Sequence, residues 1–217
     1  IIEDNAQAIG CKYKFSDGTT KFTGTMGDIG TTSFYPSKNL GCYGDGGAIF
    51  TQDDQLAEKI RMLANHGEKT KYHHEIIGCN SRLDSIQAEI LNIKLKLLDE
   101  YNSNRRTMAQ NYNLAFENIN EIETPKVISS SDHVYHQYTL KINNGRRDDL
   151  KIYLHELGIP SMIYYPIPIH KQKPYANNLS LFNTDILSDQ VISLPVHTEI
   201  ENSNQSYIIE KILNFFK

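Results

Sequence analysis

Lys38 lies in a glycine-punctuated run, Ser33-Phe34-Tyr35-Pro36-Ser37-Lys38-Asn39-Leu40-Gly41-Cys42-Tyr43-Gly44-Asp45-Gly46-Gly47, set between two short apolar segments. Those segments, 29–34 and 47–51, read as strands, and the glycines permit a tight return from one to the other. A chain built this way commits its first part to sheet, with a lysine in the connection. Upstream, Ile1-Ile2-Glu3-Asp4 reads as the tail of a buried strand and puts Asp4 at its C-terminal end. Sheets with parallel strands carry their ligands at that end.

Helices then alternate with strands. Asp53 and Asp54 open an acidic first turn for a helix through Leu56, Ile60 and Leu63, with Lys59 and Arg61 later in it, as the helix dipole favours. Residues 65–79 are charged and aromatic with little periodicity, and read as a loop. From Ser81 the pattern changes. Leu83, Ile86, Ile90, Ile93 and Leu97 recur at spacings of three and four, a helical stripe widened by Leu91, Leu95 and Leu98. This helix continues, with a kink, through Tyr112 and Phe116, and so long an element links two domains, 1–100 and 101–217. Beyond Pro125 the expectation is a strand over 136–142, a helix over 146–157 stopped by Gly158, and strands over 159–164 and 191–195. A last helix is capped by Asn202 or Ser203, with Ile208, Ile212 and Phe215 inward. The fold class is α/β.

Composition narrows the function. With 217 residues, 39% hydrophobic and 22% charged, the chain buries a real core. A net charge of −4 argues against a nonspecific grip on nucleic acid, and no apolar stretch approaches a membrane span. Cys11, Cys42 and Cys79 are an odd set without a Cys-x-x-Cys pair, which argues against a disulfide framework or zinc site and for a reducing cytoplasm. His73-His74-Glu75 is a polar loop; adjacent histidines do not share a helix face. The chain begins without Met, a basic n-region or an apolar h-region.

Alone, Lys38 is a solvated loop residue and Asp4 caps a turn. Together they are an amine able to form a Schiff base and a carboxylate able to hold a pyridinium nitrogen, the pairing that pyridoxal 5′-phosphate asks of a protein. A carboxylate there favours the cationic ring by direct charge pairing. Gly44-Asp45-Gly46-Gly47 is not Gly-x-Gly-x-x-Gly, and reads as a turn rather than a nucleotide loop.

The Lys38 run, Glu3-Asp4-Asn5-Ala6-Gln7-Ala8, Gly27-Asp28-Ile29-Gly30, Arg61-Met62-Leu63-Ala64-Asn65-His66-Gly67, Ile77-Gly78-Cys79-Asn80-Ser81-Arg82-Leu83-Asp84 and Tyr164-Tyr165-Pro166-Ile167-Pro168-Ile169-His170 occur in this order. The chain thereby resembles, from Ile1 to Lys217, the DegT/DnrJ/EryC1/StrS family of pyridoxal-phosphate-dependent sugar aminotransferases of fold type I. The resemblance implies a C-terminal portion of such a protein: part of the large cofactor-binding α/β domain over 1–100, and a small C-terminal α/β domain over 101–217. It implies that Lys38 anchors the cofactor and shuttles a proton, that Asp4 holds the ring nitrogen, and that Gln7 contacts the phenolic oxygen. It further implies that Ser33 bonds the phosphate and that Asn80, assisted by Arg82, reaches the phosphate of a neighbouring subunit. Tyr165 and His170 would lean toward a nucleotide-linked sugar. The partners implied are a nucleotide-linked keto sugar, glutamate as amino donor, and a second copy in a homodimer with shared sites.

Plainer readings stand beside these. Ser33 is common in turns, Gln7 can face solvent, Ser81-x-x-Asp84 can be a helix start with Asn80 and Ser81 as caps, and His170 can be a satisfied loop histidine. Cys79 stands where relatives often have an aromatic residue, and Asn5 where a small one is usual. A dehydratase branch of the family carries histidine at the position of Lys38. A noncatalytic fragment lacking the N-terminal cofactor cradle is the other alternative. A regulatory role finds no DNA-binding motif.

Overall fold

The computed structural model of the chain describes residues 1–175 and 179–217. It divides into two compact units, residues 1–103 with 127–136, and residues 104–126 with 137–217. The segment 127–136, beyond the helical linker, therefore belongs with the first unit.

The first unit opens with β1 (Ile2–Asp4), the hairpin of β2 (Lys12–Lys14) and β3 (Thr20–Phe22), β4 (Ile29–Ser33) and β5 (Gly47–Phe50). Its main sheet has the order β1-β4-β5. β1 runs parallel to β4 with Asp4 opposite Thr31, and β5 returns antiparallel with Gly47 opposite Ser33. Parallel strands need a crossover; here it contains the β2–β3 hairpin rather than a helix. Gly30 is required by close approach, since a Cβ there would lie 1.9 Å from the Gly24 carbonyl oxygen.

Glu3 fastens that crossover. Its carboxylate accepts the backbone N–H of Gly24 at 2.8 Å, of Met26 at 2.5 Å and of Gly27. Burial pushes this carboxyl up, but the three amide donors outweigh it and hold the group below its ordinary value. A depressed folded value means stability that is present above the unfolded pKa and lost as pH falls through the folded one. Glu3→Gln is therefore expected to cost about 1–2 kcal/mol at pH 7, with the difference from the unaltered protein shrinking below about pH 4. Urea unfolding at the two pH values checks it; a penalty equal at both would contradict the role.

After β5 come α1 (Asp54–Ala64), a short hairpin of β6 (Glu68–Thr70) and β7 (His73–His74), α2 (Ser85–Leu95) and α3 (Leu98–Phe116). Asp53 caps α1 through the N–H groups of Gln55 and Leu56. The hairpin corrects the expectation of an unstructured loop over 65–79. The kink expected in the long helix falls at Lys96–Leu97, and α3 passes from the first unit to the second after Ser103.

The stripe of α2 is displaced from the expected one. Gln87 and Lys94 reach the glycine-rich loop, at Tyr43 N and Gly41 O, and Leu91 and Leu98 pack with Phe34, Leu40 and Cys42. The inward face is thus 87, 91, 94 and 98, whereas Ile86 and Ile93 are 75% and 61% exposed. Leucines and isoleucines stand on both sides of this helix, so spacing alone does not choose the face.

The second unit contains β8 (Ile122–Glu123), β9 (Tyr138–Ile142), α4 (Arg147–Glu156), α5 (Phe182–Gln190), β10 (Val191–Leu194) and α6 (Asn202–Phe215). Its sheet is antiparallel, in the order β10-β9-β8. Tyr138, Leu140 and Ile142 alternate inward along β9 and join Leu150, Leu154, Ile192, Ile208 and Ile212 in the core. Buried Tyr112 donates to Pro195 O at 3.0 Å, and burial pushes its phenol pKa up. Buried Arg147 donates to Ser188 O and Val191 O, joining α4 to the α5–β10 junction. The strand expected over 159–164 does not form; after Pro160 only Met162 pairs, with Ser193. Helix α5 is an element that the periodicity does not announce. Among the described residues, no helix is long and apolar enough to cross a membrane.

Candidate active site

The C-terminal ends of β1 and β4 meet at one edge of the first unit's sheet. Asp4 is the last residue of β1 and Ser33 the last of β4. From Ser33 the chain leaves the sheet, and the loop closes on Phe34, whose N–H donates to Gly46 O and whose carbonyl accepts Cys42 N–H, both at 2.8 Å. Lys38 N–H turns back to Tyr35 O at 2.8 Å. Gln7 is exposed, in the turn directly beyond β1. Asp4, Gln7, Ser33 and the loop of Lys38 thus share one end of the parallel pair.

Each group keeps chemical capacity. Among the described residues the exposed Asp4 carboxylate accepts only the N–H of Ala6, at 3.0 Å through Oδ1. Ser33 Oγ accepts Tyr35 N–H at 3.3 Å, which leaves its hydroxyl hydrogen to donate to an anion. Lys38 is half-buried, and among the described residues its Nζ makes no hydrogen bond or ion pair. An acid and a hydroxyl donor at the ends of paired strands, with a lysine in the loop that leaves one of them, are the kinds of group that pyridoxal phosphate takes at its ring nitrogen, phosphate and aldehyde.

Asn80 and Arg82 form a second group in the same unit. Arg82 Nε donates to Asn80 Oδ1 at 2.9 Å, and Arg82 Nη1 to Asn65 Oδ1 at 3.4 Å. Both side chains are exposed, and Arg82 borders a groove of about 530 Å³ with Arg61, Asn65 and Lys69. Helix α2 starts at Ser85 after Asp84, which makes no side-chain cap bond. The plain capping reading of Ser81-x-x-Asp84 is therefore not realised.

In the second unit, Tyr165 and His170 have different surroundings. Tyr165 lines a cavity of about 700 Å³ with Tyr164, Ile167, Tyr175 and Leu187. His170 is buried, in a single 3₁₀ turn (Ile169–Lys171), with Nε2 3.2 Å from Asp185 Oδ1 on α5. Lys171 pairs with the same oxygen at 2.7 Å, and this bond chiefly holds the Asp185 carboxyl below its usual range. The His170–Asp185 contact is one of proximity: among the described residues neither ring nitrogen of His170 completes a hydrogen bond. Tyr164 and Tyr175 are cavity residues that the sequence does not single out; aromatic residues beside Pro166, Pro168 and Pro174 were the available signal.

Residues 1–213 match the DegT/DnrJ/EryC1/StrS aminotransferase family. The chain is 42% identical to a pleiotropic regulatory protein of Geobacillus stearothermophilus, covering 100% of this chain and 58% of that protein. It is 40% identical to the UDP-2-acetamido-2-deoxy-3-oxo-D-glucuronate aminotransferase of Pseudomonas aeruginosa, over 99% of this chain and 58% of that one. The crystal structure of S. venezuelae DesV in complex with a ketimine intermediate superposes with a TM-score of 0.93 at 38% identity, covering 100% of this chain and 58% of that one. The chain thus spans a little over half the length of these relatives.

Proposed function

Because the chain belongs to the DegT/DnrJ/EryC1/StrS aminotransferase family, whose members depend on pyridoxal phosphate, we propose that it carries the lysine-bearing part of a sugar aminotransferase. The reaction moves an amino group from glutamate to the ketone of a nucleotide-linked deoxysugar. The P. aeruginosa relative, named for a UDP-linked 3-oxo sugar, supports that substrate class. The observation that supports the reading is that Asp4 and Ser33 end paired strands while Lys38, whose Nζ has no hydrogen bond or ion pair among the described residues, lies in the loop that follows Ser33.

Pyridoxal phosphate, when bound, supplies an electron sink. The residues of this chain do the rest. Asp4 accepts a hydrogen bond at the ring nitrogen and keeps that nitrogen protonated. Gln7 faces the phenolic oxygen, and Ser33 donates its hydroxyl to the phosphate. Lys38 would hold the cofactor covalently between turnovers and move a proton to and from the substrate carbon. Asn80, with Arg82 beside it, donates to the phosphate held by a second copy in a homodimer. The uncovered side of α2, with Ile86 and Ile93 exposed, supports a further apolar contact there. The domain assignment follows the same reading: the first unit is part of the large domain and the second is the small one. Tyr165 and its cavity face the nucleotide-linked sugar, with His170 in the same loop.

Glutamate, the keto sugar and their products use one site in turn, so initial rates should give the parallel lines of ping-pong kinetics. The test is a panel of nucleotide-linked keto sugars offered to the complete protein with glutamate, with amino-sugar formation read by mass. At least one sugar is expected to turn over. Failure across uridine- and thymidine-linked 3- and 4-keto sugars would remove the proposal.

A further inference from the structure

We propose that Asn39 is the positioning residue for Lys38, fixed by a buried amide chain running through Asn102 and His136. This rests on the reading of Lys38 as the reactive amine. A half-buried lysine whose Nζ has no polar partner among the described residues takes its aim from its backbone. That backbone is held one residue further on. Asn39 is 8% exposed, and a buried amide is costly unless its hydrogens and oxygen are met. Here they are. Nδ2 donates to Asn102 Oδ1 at 2.7 Å and to Val134 O at 2.9 Å, and Oδ1 lies 3.3 Å from His136 Nδ1.

The direction of the chain is determined. Val134 O can only accept, so Nδ2 of Asn39 faces it and Oδ1 faces His136, whose Nδ1 must carry a hydrogen to complete the bond. Asn102, 1% exposed, donates its own Nδ2 to Ile9 O at 3.1 Å, which turns its Oδ1 toward Asn39. Gly10 is part of this fit: its φ is +82°, and a Cβ would lie 2.6 Å from Asn102 Nδ2. Three segments remote in sequence, 9–10, 102 and 134–136, thus converge on the neighbour of Lys38. Leu40 then inserts beside Phe34, Cys42, Leu91 and Leu98. The lysine is followed by one polar and one apolar clamp, while its side chain is left unclaimed.

Asparagine is needed at 39 because both of its Nδ2 partners are acceptors. Asn39→Asp keeps the volume but sets oxygen against Asn102 Oδ1 and Val134 O. The test compares the complete protein with Asn39→Asp, Asn102→Ala, and Tyr138→Phe, which loses a part-buried bond to Asn113 within the second unit. The readouts are hydrogen exchange of amides 38–42 in cofactor-free protein, the rate of borohydride-trapped attachment of pyridoxal phosphate to Lys38, and kcat against KM for glutamate. Asn39→Asp is expected to exchange about 10-fold faster at 38–42 and to trap cofactor about 10-fold more slowly. Its kcat should fall by up to about 10²-fold, as for a misplaced reacting group, with KM for glutamate within about 2-fold. Asn102→Ala, which alters no residue of the lysine loop but removes one acceptor of Asn39, shows the same pattern more weakly and carries the test if Asn39→Asp does not fold. Tyr138→Phe leaves all three readouts unchanged. Wild-type exchange and trapping in the folded variants, or equal changes in Tyr138→Phe, would overturn the proposal. Cofactor trapped on a residue other than Lys38 in the unaltered protein would remove both the underlying reading and this one.

Discussion

Replacing Lys38 with alanine in the complete protein is expected to abolish amino transfer and covalent trapping of pyridoxal phosphate while leaving the fold intact. The two halves of this expectation have separate causes. Under the proposed function, loss of activity follows from removing the amine assigned both to anchor the cofactor and to carry the proton; positioned proton transfer alone is worth about 10²–10⁴-fold. Retention of the fold follows from what the side chain does not do. Its Nζ holds no hydrogen bond or ion pair among the described residues, and substitutions free of such ties stay within about 0.5 kcal/mol. Lys38→Arg sharpens the result. Arginine keeps the positive charge but does not deprotonate in proteins, so it should be as inactive as alanine. Activity retained by the arginine variant would mean that charge, and not a neutral amine, is what the site uses. Borohydride trapping with peptide mass, kcat and urea unfolding measure the three quantities independently.

How much of this was legible in the sequence depended on whether a signal was local. The strand–loop–strand around Lys38 was, because glycine and apolar runs are short-range punctuation, and β4 and β5 lie within a residue of the expected bounds. Helix α4 was legible for the same reason, with Gly158 just beyond its end, whereas the kink in the long helix was expected without a position. The inward face of α2 was not. Its two apolar sides look alike until a neighbour selects one, and the loop at Gly41–Tyr43 selects Gln87, Leu91 and Lys94. A polar Gln and Lys on the inner face are invisible to a hydrophobic count. The strand expected over 159–164 failed because β-branched composition is a weak prior once Pro160 removes a ladder donor.

The candidate site divides the same way. Asp4, Ser33 and Lys38 could be placed by chain direction, because a parallel strand pair brings its C-terminal ends together. Asn39 could not, although it stands next to Lys38. An asparagine in a glycine-rich run reads as a turn residue, and only the convergence of Ile9, Asn102, Val134 and His136 shows it to be buried. His170 is the opposite case. Its motif singles it out, and the fold buries it beside the Asp185 carboxylate without completing a hydrogen bond to either ring nitrogen among the described residues.

The 217 residues by themselves are expected to bind pyridoxal phosphate at least about 10²-fold more weakly than a full-length relative such as the P. aeruginosa aminotransferase. A small-ligand site covers roughly 70–90% of its ligand. Here Asp4, Gln7, Asn80 and Arg82 are all exposed. Strand β1 ends the sheet on one side and β5 on the other, and Ile2 and Ile49 stand 73% and 52% exposed on them. The chain covers 58% of the relative's length. A ring pressed against an apolar cover buries roughly 100 Å² more than one resting on an open edge. At about 25 cal/mol per Å² that is about 2.5 kcal/mol, nearly two factors of ten in affinity. Titration of pyridoxal phosphate onto the 217-residue chain, followed by borohydride trapping and peptide mass, measures it. Weak trapping, spread over surface lysines, is the expected result. Stoichiometric trapping on Lys38 at micromolar cofactor would mean that this half of the relatives' length already contains a closed site.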